Sequence, residues 1–283
     1  MRVILVAILL VTFISPSLSA QELTGTLQQI KTTGKIKIGY RPDQPPMSFQ
    51  DKDGKPSGYS IDICELIVDE VKNKIIGEVA IEYTPVTASE RFTALLDNRI
   101  DILCGSTTKT LSRSEIVDFT QLTFATGAAF MALKDTKIIN NFNGKKIGVV
   151  KDTTTEVALR ELFKEAGINA DIALLATTSE GRDLLEKGEI DAFAADQVVL
   201  IGQALATTNP SNFTILPNLF TYEPLALAVR RNDADFRLVA DRVISNLYRT
   251  KQIMPIYNKW FGEFSPKMPP LFEALIQINA IPE

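Results

Sequence analysis

Apolar and polar residues alternate through 35–40 (KIKIGY), which predicts a strand with one buried face. The stretch 42–60 (PDQPPMSFQDKDGKPSGYS) breaks that pattern with Pro, Gly and Asp and predicts a loop or hairpin. Over 61–75 (IDICELIVDEVKNKI) apolar residues return at helical spacing, with Ile61, Cys64, Val68 and Val71 on one side and Ile63 and Ile67 beside them. Three further elements follow: a strand at 79–86 (VAIEYTPV), a short helix at 89–98 (SERFTALLDN) with Phe92, Leu95 and Leu96 inward, and a strand at 100–105 (IDILCG). The last is apolar almost throughout, as strands covered on both faces are. Strands and helices alternating in this way predict an α/β fold with a mainly parallel sheet.

The same grammar returns in the second half. A strand at 145–150 (KKIGVV) leads to a helix at 154–167 ended by Gly167, then to a helix at 179–188 and a buried strand at 189–196 (EIDAFAAD). The stretch LLDNRIDILCGS (95–106) resembles LLEKGEIDAFAADQ (184–197): Leu-Leu-acid, a short break, Ile-Asp, then an apolar strand ending in polar groups. This predicts two lobes of similar topology. Two extended apolar segments, 119–134 and 222–231, flank the second unit and predict two crossings between the lobes, near Ala125–Ala128 and Glu223–Leu225. Helical spacing then resumes over 233–262, with Phe236, Val239, Val243 and Leu247 on one stripe, and the Pro-broken tail reads as a packed appendage. The division expected is 21–126 and 226–283 for the first lobe and 127–225 for the second.

Composition narrows the function. The chain has 283 residues, a net charge of -4 and no long basic block, which argues against nucleic acid as a partner. It has no histidine, so the commonest general base and the commonest metal ligand are both missing. With two cysteines a thiolate zinc cluster is excluded, and no metal or cofactor is expected. Residues 1–20 read as a signal peptide: Met1-Arg2, an apolar run Val3–Ile14, and a small-residue exit Ser15–Ala20. Cleavage after Ser19 places small residues at Ser17 and Ser19, and cleavage after Ala20 is the alternative. No cysteine lies near that exit, so the expected product is exported and soluble rather than lipid-anchored. In an oxidising compartment Cys64 and Cys104 can bridge, and two buried free thiols remain open at this stage.

Ligands of open α/β sheets sit beyond the carboxyl ends of the strands. Three stretches fall there. In CGSTTKTLSR (104–113) the hydroxyls of Ser106, Thr107 and Thr108 precede Arg113, whose planar fork matches a carboxylate; a helix cap plus a surface Arg explains the same residues. In VVKDTTTEVAL (149–159), Thr153, Thr154 and Thr155 lie where a strand hands over to a helix, either as a cap or as an anion site. Asp196 ends the strand at 189–196, either as a helix cap or as a partner for an ammonium group. Taken together, an Arg and N–H cluster plus an acid form the complement of an α-amino acid.

These residues carry a resemblance. GKIKIGYRPDQPPMSF, GKPSGYSIDIC, CGSTTKTLSRSEIVDFT and GEIDAFAADQ are similar to the periplasmic amino-acid-binding proteins of bacterial ABC importers, solute-binding family 3, over about residues 26–262. The resemblance implies the type II periplasmic-binding-protein fold, two α/β lobes with a ligand cleft between them, joined by two crossing strands. It implies that Arg113 holds the ligand α-carboxylate, helped by Thr108 and by Thr153 or Thr154, and that Ser106 and Asp196 hold the ammonium. It also implies a Cys64–Cys104 disulfide. Within the family the chain looks most like the glutamate/aspartate-binding proteins, in which Arg41 and Arg91 match arginines that hold the side-chain carboxylate. Two departures stand out: those proteins have a His near the position of Thr178, and a Ser where this chain has Ala88.

The expectation is therefore a monomeric extracytoplasmic carrier of an L-amino acid, glutamate, aspartate or another polar one, that closes on its ligand and presents it to a membrane permease. Two other classes share the fold. One is a cyclohexadienyl dehydratase-like enzyme, whose substrate has no ammonium and would be repelled by Asp196. The other is a ligand-sensing partner of a receptor.

Overall fold

Two five-stranded sheets of matching design form the frame, and the computed structural model describes them within residues 22–134, 136 and 141–283. The expected export segment, residues 1–20, lies outside the described residues. In chain order the first lobe contains α1 (Gly25–Thr33), β1 (Lys35–Tyr40), a small three-stranded sheet β2 (Asp43–Gln44), β3 (Ser48–Gln50) and β4 (Pro56–Ser57), then α2 (Tyr59–Ile75), β5 (Ala80–Pro85), α3 (Arg91–Leu96), β6 (Ile102–Cys104) and β7 (Val117–Thr126). The second contains β8 (Ala128–Leu133), β9 (Lys146–Val150), α4 (Thr154–Glu165), β10 (Asp171–Leu175), α5 (Thr178–Glu186), β11 (Ala192–Asp196), α6 (Gln197–Leu205) and β12 (Phe213–Ile215). The chain returns through β13 (Glu223–Arg230) to α7 (Ala234–Arg249), α8 (Ile253–Phe261) and α9 (Pro270–Asn279).

The sheet orders are β5-β1-β6-β13-β7 and β10-β9-β11-β8-β12. In each, four strands run the same way and one, β13 in the first sheet and β8 in the second, runs antiparallel between its neighbours. The mainly parallel reading thus holds for the βα part of each lobe. The crossing strands differ because one leaves the first lobe and the other returns: β7 and β13 pair antiparallel, with Thr126 opposite Glu223. The apolar segment 119–134 is two strands in two different sheets, with Gly127 between them.

The repeated Ile-Asp has a structural cause. Asp101 accepts the backbone N–H of Lys37 at the start of β1 (2.8 Å), and Asp191 accepts that of Lys146 at the start of β9 (2.8 Å). Each acid satisfies a strand-end donor that the ladder leaves open. The preceding Ile100 and Ile190 pack over Gly39 and Gly148, where an added Cβ would lie 2.4 and 2.7 Å from the isoleucine Cδ1. Glycine at these strand positions is a packing requirement shared by both lobes.

Apolar residues bury as their spacing predicts, with one exception. α2 buries Ile61, Ile63, Cys64, Ile67, Val68 and Val71 against the first sheet. In α3, Leu95 is buried but Leu96 is 52% exposed, and Ala94 takes the inward place beside Leu95. The helix is six residues long, so its buried face is narrow and one Leu of the pair points to solvent. A disulfide joins Cys64 of α2 to Cys104 of β6. The tail packs through α9: Phe272 is fully buried against Phe124 of β7 and Tyr257 of α8.

The lobes touch at both ends of the cleft. At one end Ser89 donates to the Asp152 carboxylate (2.5 Å) and Arg91 to the Asp152 carbonyl (3.1 Å). At the other, Thr178 and Gln203 of the second lobe bond Asp43 of the first. There α6 comes so near the 42–46 turn that a Cβ on Gly202 would lie 1.9 Å from the Pro45 carbonyl oxygen, a backbone atom with little room to yield. Gly202→Ala is therefore expected to hold the lobes apart. Alanine is itself the better helix former by about 1 kcal/mol, so melting should not suffer. Small-angle scattering should show no compaction at saturating ligand, and wild-type compaction would contradict this close approach.

Candidate functional site

Four strand ends converge on the cleft. β1 ends in Arg41, β6 in the loop carrying Ser106, Thr107 and Thr108, β9 in the turn to Thr153–Thr155, and β11 in Asp196. Ser60 of α2 fixes the β6 end by donating to the Gly105 carbonyl (3.0 Å). The residues singled out in the sequence, Arg41, Arg91, Ser106, Thr108, Arg113, Thr153, Thr154 and Asp196, all line one cavity. Gln44, Thr155, Thr178, Val150, Ala194, Ala195 and Val199 complete its wall. The cavity offers about 40 Å³ to the centre of a water-sized sphere. One water occupies roughly 10–15 Å³ on that measure, so the scale suits a free amino acid and not a peptide.

The hydroxyls are already organised. Thr108 and Thr154, from opposite lobes, both donate to the Glu223 carboxylate (2.5 and 2.8 Å). Ser106 donates to the Gln44 side-chain oxygen (2.8 Å). Thr153 is the cap of α4: it accepts the Glu156 N–H (3.1 Å) and donates to the Val150 carbonyl (2.6 Å). Its hydroxyl proton is thus committed to the protein, and its ligand contact reduces to a lone pair or its own N–H. Asp196 precedes α6 but makes no cap hydrogen bond, so its carboxylate is left to the cavity.

The charges are only partly balanced by local pairing: Arg41 Nη2 lies 3.6 Å from the Asp43 carboxylate, without a hydrogen bond between them. Arg41 and Arg91 are each 4% exposed, and Arg41 Nε and Arg91 Nη1 have no hydrogen-bond partner among the described residues. Arg113 donates to the Thr108 carbonyl (2.9 Å), and both it and Arg91 lie over the Phe92 ring, at 5.5 and 4.5 Å from its centroid. Burial, and then the charges of Arg113 and Arg41, push the Arg91 guanidinium down to about 8. Burial lowers Arg41 and Arg113 too. Two buried cations with unsatisfied donors and a half-buried third in one pocket call for anions beside them. Asp196 moves the other way: burial, then the Glu223 carboxylate, push it up to about 8 against the pull of Arg113 and Arg41. The nearby carboxylates thus leave buried guanidinium donors of Arg41 and Arg91 unbonded, and the nearby arginines do not offset the burial of Asp196.

A testable pH dependence follows. An ammonium beside Asp196 lowers its carboxyl below the value of about 8, so capture below that pH releases a proton. Affinity should therefore rise with pH between about 6 and 8 and flatten above it. Calorimetry in buffers of different ionisation enthalpy should register the released proton. Asp196→Asn should remove both the slope and the release. An affinity independent of pH across that window would contradict the pairing.

This fold, with a cleft rimmed by arginines, hydroxyls and a free acid, defines a solute-binding protein. The chain belongs to the bacterial extracellular solute-binding proteins, family 3, whose pattern matches residues 36–263. It is 31% identical over 257 residues to the L-glutamate/L-aspartate-binding protein of Pseudomonas aeruginosa, covering 89% of this chain and 85% of that one. It superposes with a TM-score of 0.73 on an ancestral arginine-binding protein bound to glutamine, at 26% identity, covering 81% of this chain and 98% of that one. A second solved neighbour, at TM-score 0.71 and 25% identity, covering 84% of this chain and 100% of that one, is an ancestral amino acid-binding protein described as a precursor of cyclohexadienyl dehydratase. No helix among the described residues is long and apolar enough to cross a membrane.

Four residues at the site escaped the sequence reading. Glu223 entered it only as a hinge position, and its role as acceptor for both lobes depends on a contact 115 residues apart with Thr108. Gln44 and Asp43 lie in the stretch 42–60, whose loop signals carry no chemistry of their own. Thr178 drew notice only as the place where similar proteins have a His.

Proposed function

We propose that this protein is an exported periplasmic carrier that captures an L-amino acid with an acidic side chain, glutamate or aspartate, and presents it as a closed monomer to the permease of an ABC importer. Arg113 takes the α-carboxylate with Thr108 and the α4 N-terminus, Asp196 and Ser106 take the ammonium, and Arg41 and Arg91 take the side-chain carboxylate. The hinge lies at Thr126–Gly127 and Glu223–Leu225. The observation that carries the acidic side chain is the pair of unsatisfied buried donors, Arg41 Nε and Arg91 Nη1. A neutral side chain would bring no anion to these two buried guanidiniums, whereas a carboxylate accepts from both. The identity to a glutamate/aspartate-binding protein points the same way.

Binding without chemistry fits the same residues. The chain has no histidine, and a free Asp196 suits a zwitterionic ligand better than a substrate that lacks an ammonium. Arg41→Gln and Arg91→Gln, titrated with glutamate and glutamine, test the ligand class. Each should weaken glutamate by about tenfold or more, the scale of one charge-assisted hydrogen bond, and glutamine by less. Equal losses for both would remove the side-chain role of these arginines, and turnover of prephenate would favour the dehydratase reading.

A further inference from the structure

Beside Arg41 stands a carboxylate of the same lobe that the guanidinium pairs with at a distance but does not hydrogen-bond. Arg41 Nη2 lies 3.6 Å from Asp43 Oδ1, beyond hydrogen-bond length. The other Asp43 oxygen is bonded across the cleft, to the Thr178 backbone N–H at 2.6 Å and to the Thr178 hydroxyl at 2.8 Å. Thr178 is the first residue of the nine-residue helix α5, so that N–H is one of the donors a helix start leaves open, at its positive end. Gln203 of α6 secures the arrangement: its amide donates to the Asp43 carbonyl (2.5 Å) and to the Thr178 hydroxyl oxygen (3.0 Å), and Arg182 donates to its carbonyl (3.2 Å). Every short bond to Asp43 named here thus comes from the second lobe, while its own lobe's cation keeps an unsatisfied Nε nearby.

Parting the lobes removes all of these donors at once. Asp43 then has Arg41 as its cation within reach, and a small side-chain rotation closes 3.6 Å to a hydrogen bond. We propose that Asp43 is an internal stand-in for the ligand's side-chain carboxylate. In the open cleft it hydrogen-bonds Arg41; on closure the start of α5 draws it beyond hydrogen-bond reach and leaves the Arg41 donors to the ligand. This rests on the reading that Arg41 faces an acidic side chain. Arg41 also feels Asp196 and Glu90, but neither is bonded to the second lobe's α5. The exchange makes Asp43 and Thr178 specificity-determining. A ligand carboxylate displaces the stand-in on equal electrostatic terms, whereas a neutral amide does so poorly, so selection of the side chain and closure become one step.

The test is a double-mutant cycle read as the ratio of glutamate to glutamine affinity, measured by calorimetry on the full mature chain. Thr178→Val should lower that ratio about fivefold or more, because Asp43 then falls back on Arg41. Asp43→Asn should raise the ratio, and within it Thr178→Val should change the ratio by less than about twofold. Asp43→Ser replaces the Asn variant should that one fail to fold. Equal weakening of both ligands by Thr178→Val would make the contact a closure seat only. A Thr178→Val effect that survives in Asp43→Asn would place the hydroxyl on the ligand itself, and either result overturns the exchange. A wild type with no preference for glutamate or aspartate over the amides overturns the acidic reading and the exchange with it, an outcome distinct from the other two.

Discussion

Arg113→Ala is expected to weaken amino-acid binding by about 10²–10³-fold, the cost of removing one partner of a buried, hydrogen-bonded charge pair. The guanidinium is oriented for that pairing from within its own lobe. Its Nη1 donates to the Thr108 carbonyl at 2.9 Å, and its guanidinium carbon lies 5.5 Å from the Phe92 ring centroid. Removing it also relieves Arg91, whose charge Arg113 opposes. The free protein should therefore melt within a few degrees of the wild type while the thermal shift on adding ligand disappears. Arg113→Lys should recover little, since an ammonium cannot offer the planar fork. Calorimetric titration checks the affinities, and near-wild-type binding by Arg113→Ala would show that the α-carboxylate sits elsewhere.

The second large effect falls on stability. Cys64→Ala with Cys104→Ala opens a loop with a sequence separation of 40. The chain-entropy model assigns closure of such a loop about 4 kcal/mol. In a chain of this size each kcal/mol moves the melting midpoint by about 2–4 °C, so the double variant should melt about 8–15 °C lower. Both sulfurs are fully buried, so substitution is a cleaner probe than a reductant added to the folded protein. The bridge ties the middle of α2 to the end of β6, the strand that delivers Ser106 and Thr108. Slower compaction on ligand addition should therefore accompany the lower midpoint. A midpoint within about 2 °C of the wild type would show that packing alone holds this junction.

Much of this was legible from local pattern, and the reason differs from place to place. The two Ile-Asp units could be paired because each packs an isoleucine over a glycine and uses its acid to satisfy a strand-end N–H. Such constraints act within a few tens of residues, so they leave a repeat in the chain. Ser106, Thr153 and Asp196 could be found because strands in this fold point their carboxyl ends at the ligand; Arg41 also follows a strand but was singled out only by the family resemblance. Arg113 follows the Ser-Thr-Thr turn and drew notice for a fork that matches a carboxylate, whereas Arg91 opens a short helix and only the family resemblance singled it out.

What escaped is tertiary in origin. Whether Thr153 caps a helix or faces a ligand depends on where one hydroxyl proton goes, and it goes to the Val150 carbonyl. Asp196 has the position of a cap and does not act as one. Glu223 gains its meaning from two hydroxyls on opposite lobes, and Asp43 from a helix start 135 residues away. No local periodicity records such pairings. Leu96 was misplaced for a different reason: a six-residue helix has too few turns for apolar spacing to fix its inner face.

The central claim is that two buried guanidiniums, Arg41 and Arg91, await a carboxylate that arrives as part of an amino acid. Side-by-side calorimetric titration of the refolded, ligand-stripped protein with L-glutamate, L-aspartate and their amides tests it most directly. The account expects one of the acids to bind at least about tenfold tighter than its amide, the difference of one charge-assisted hydrogen bond in a buried site. Tighter binding of an amide would keep the fold, the closure and the α-amino-acid clamp but contradict the role given to the two arginines.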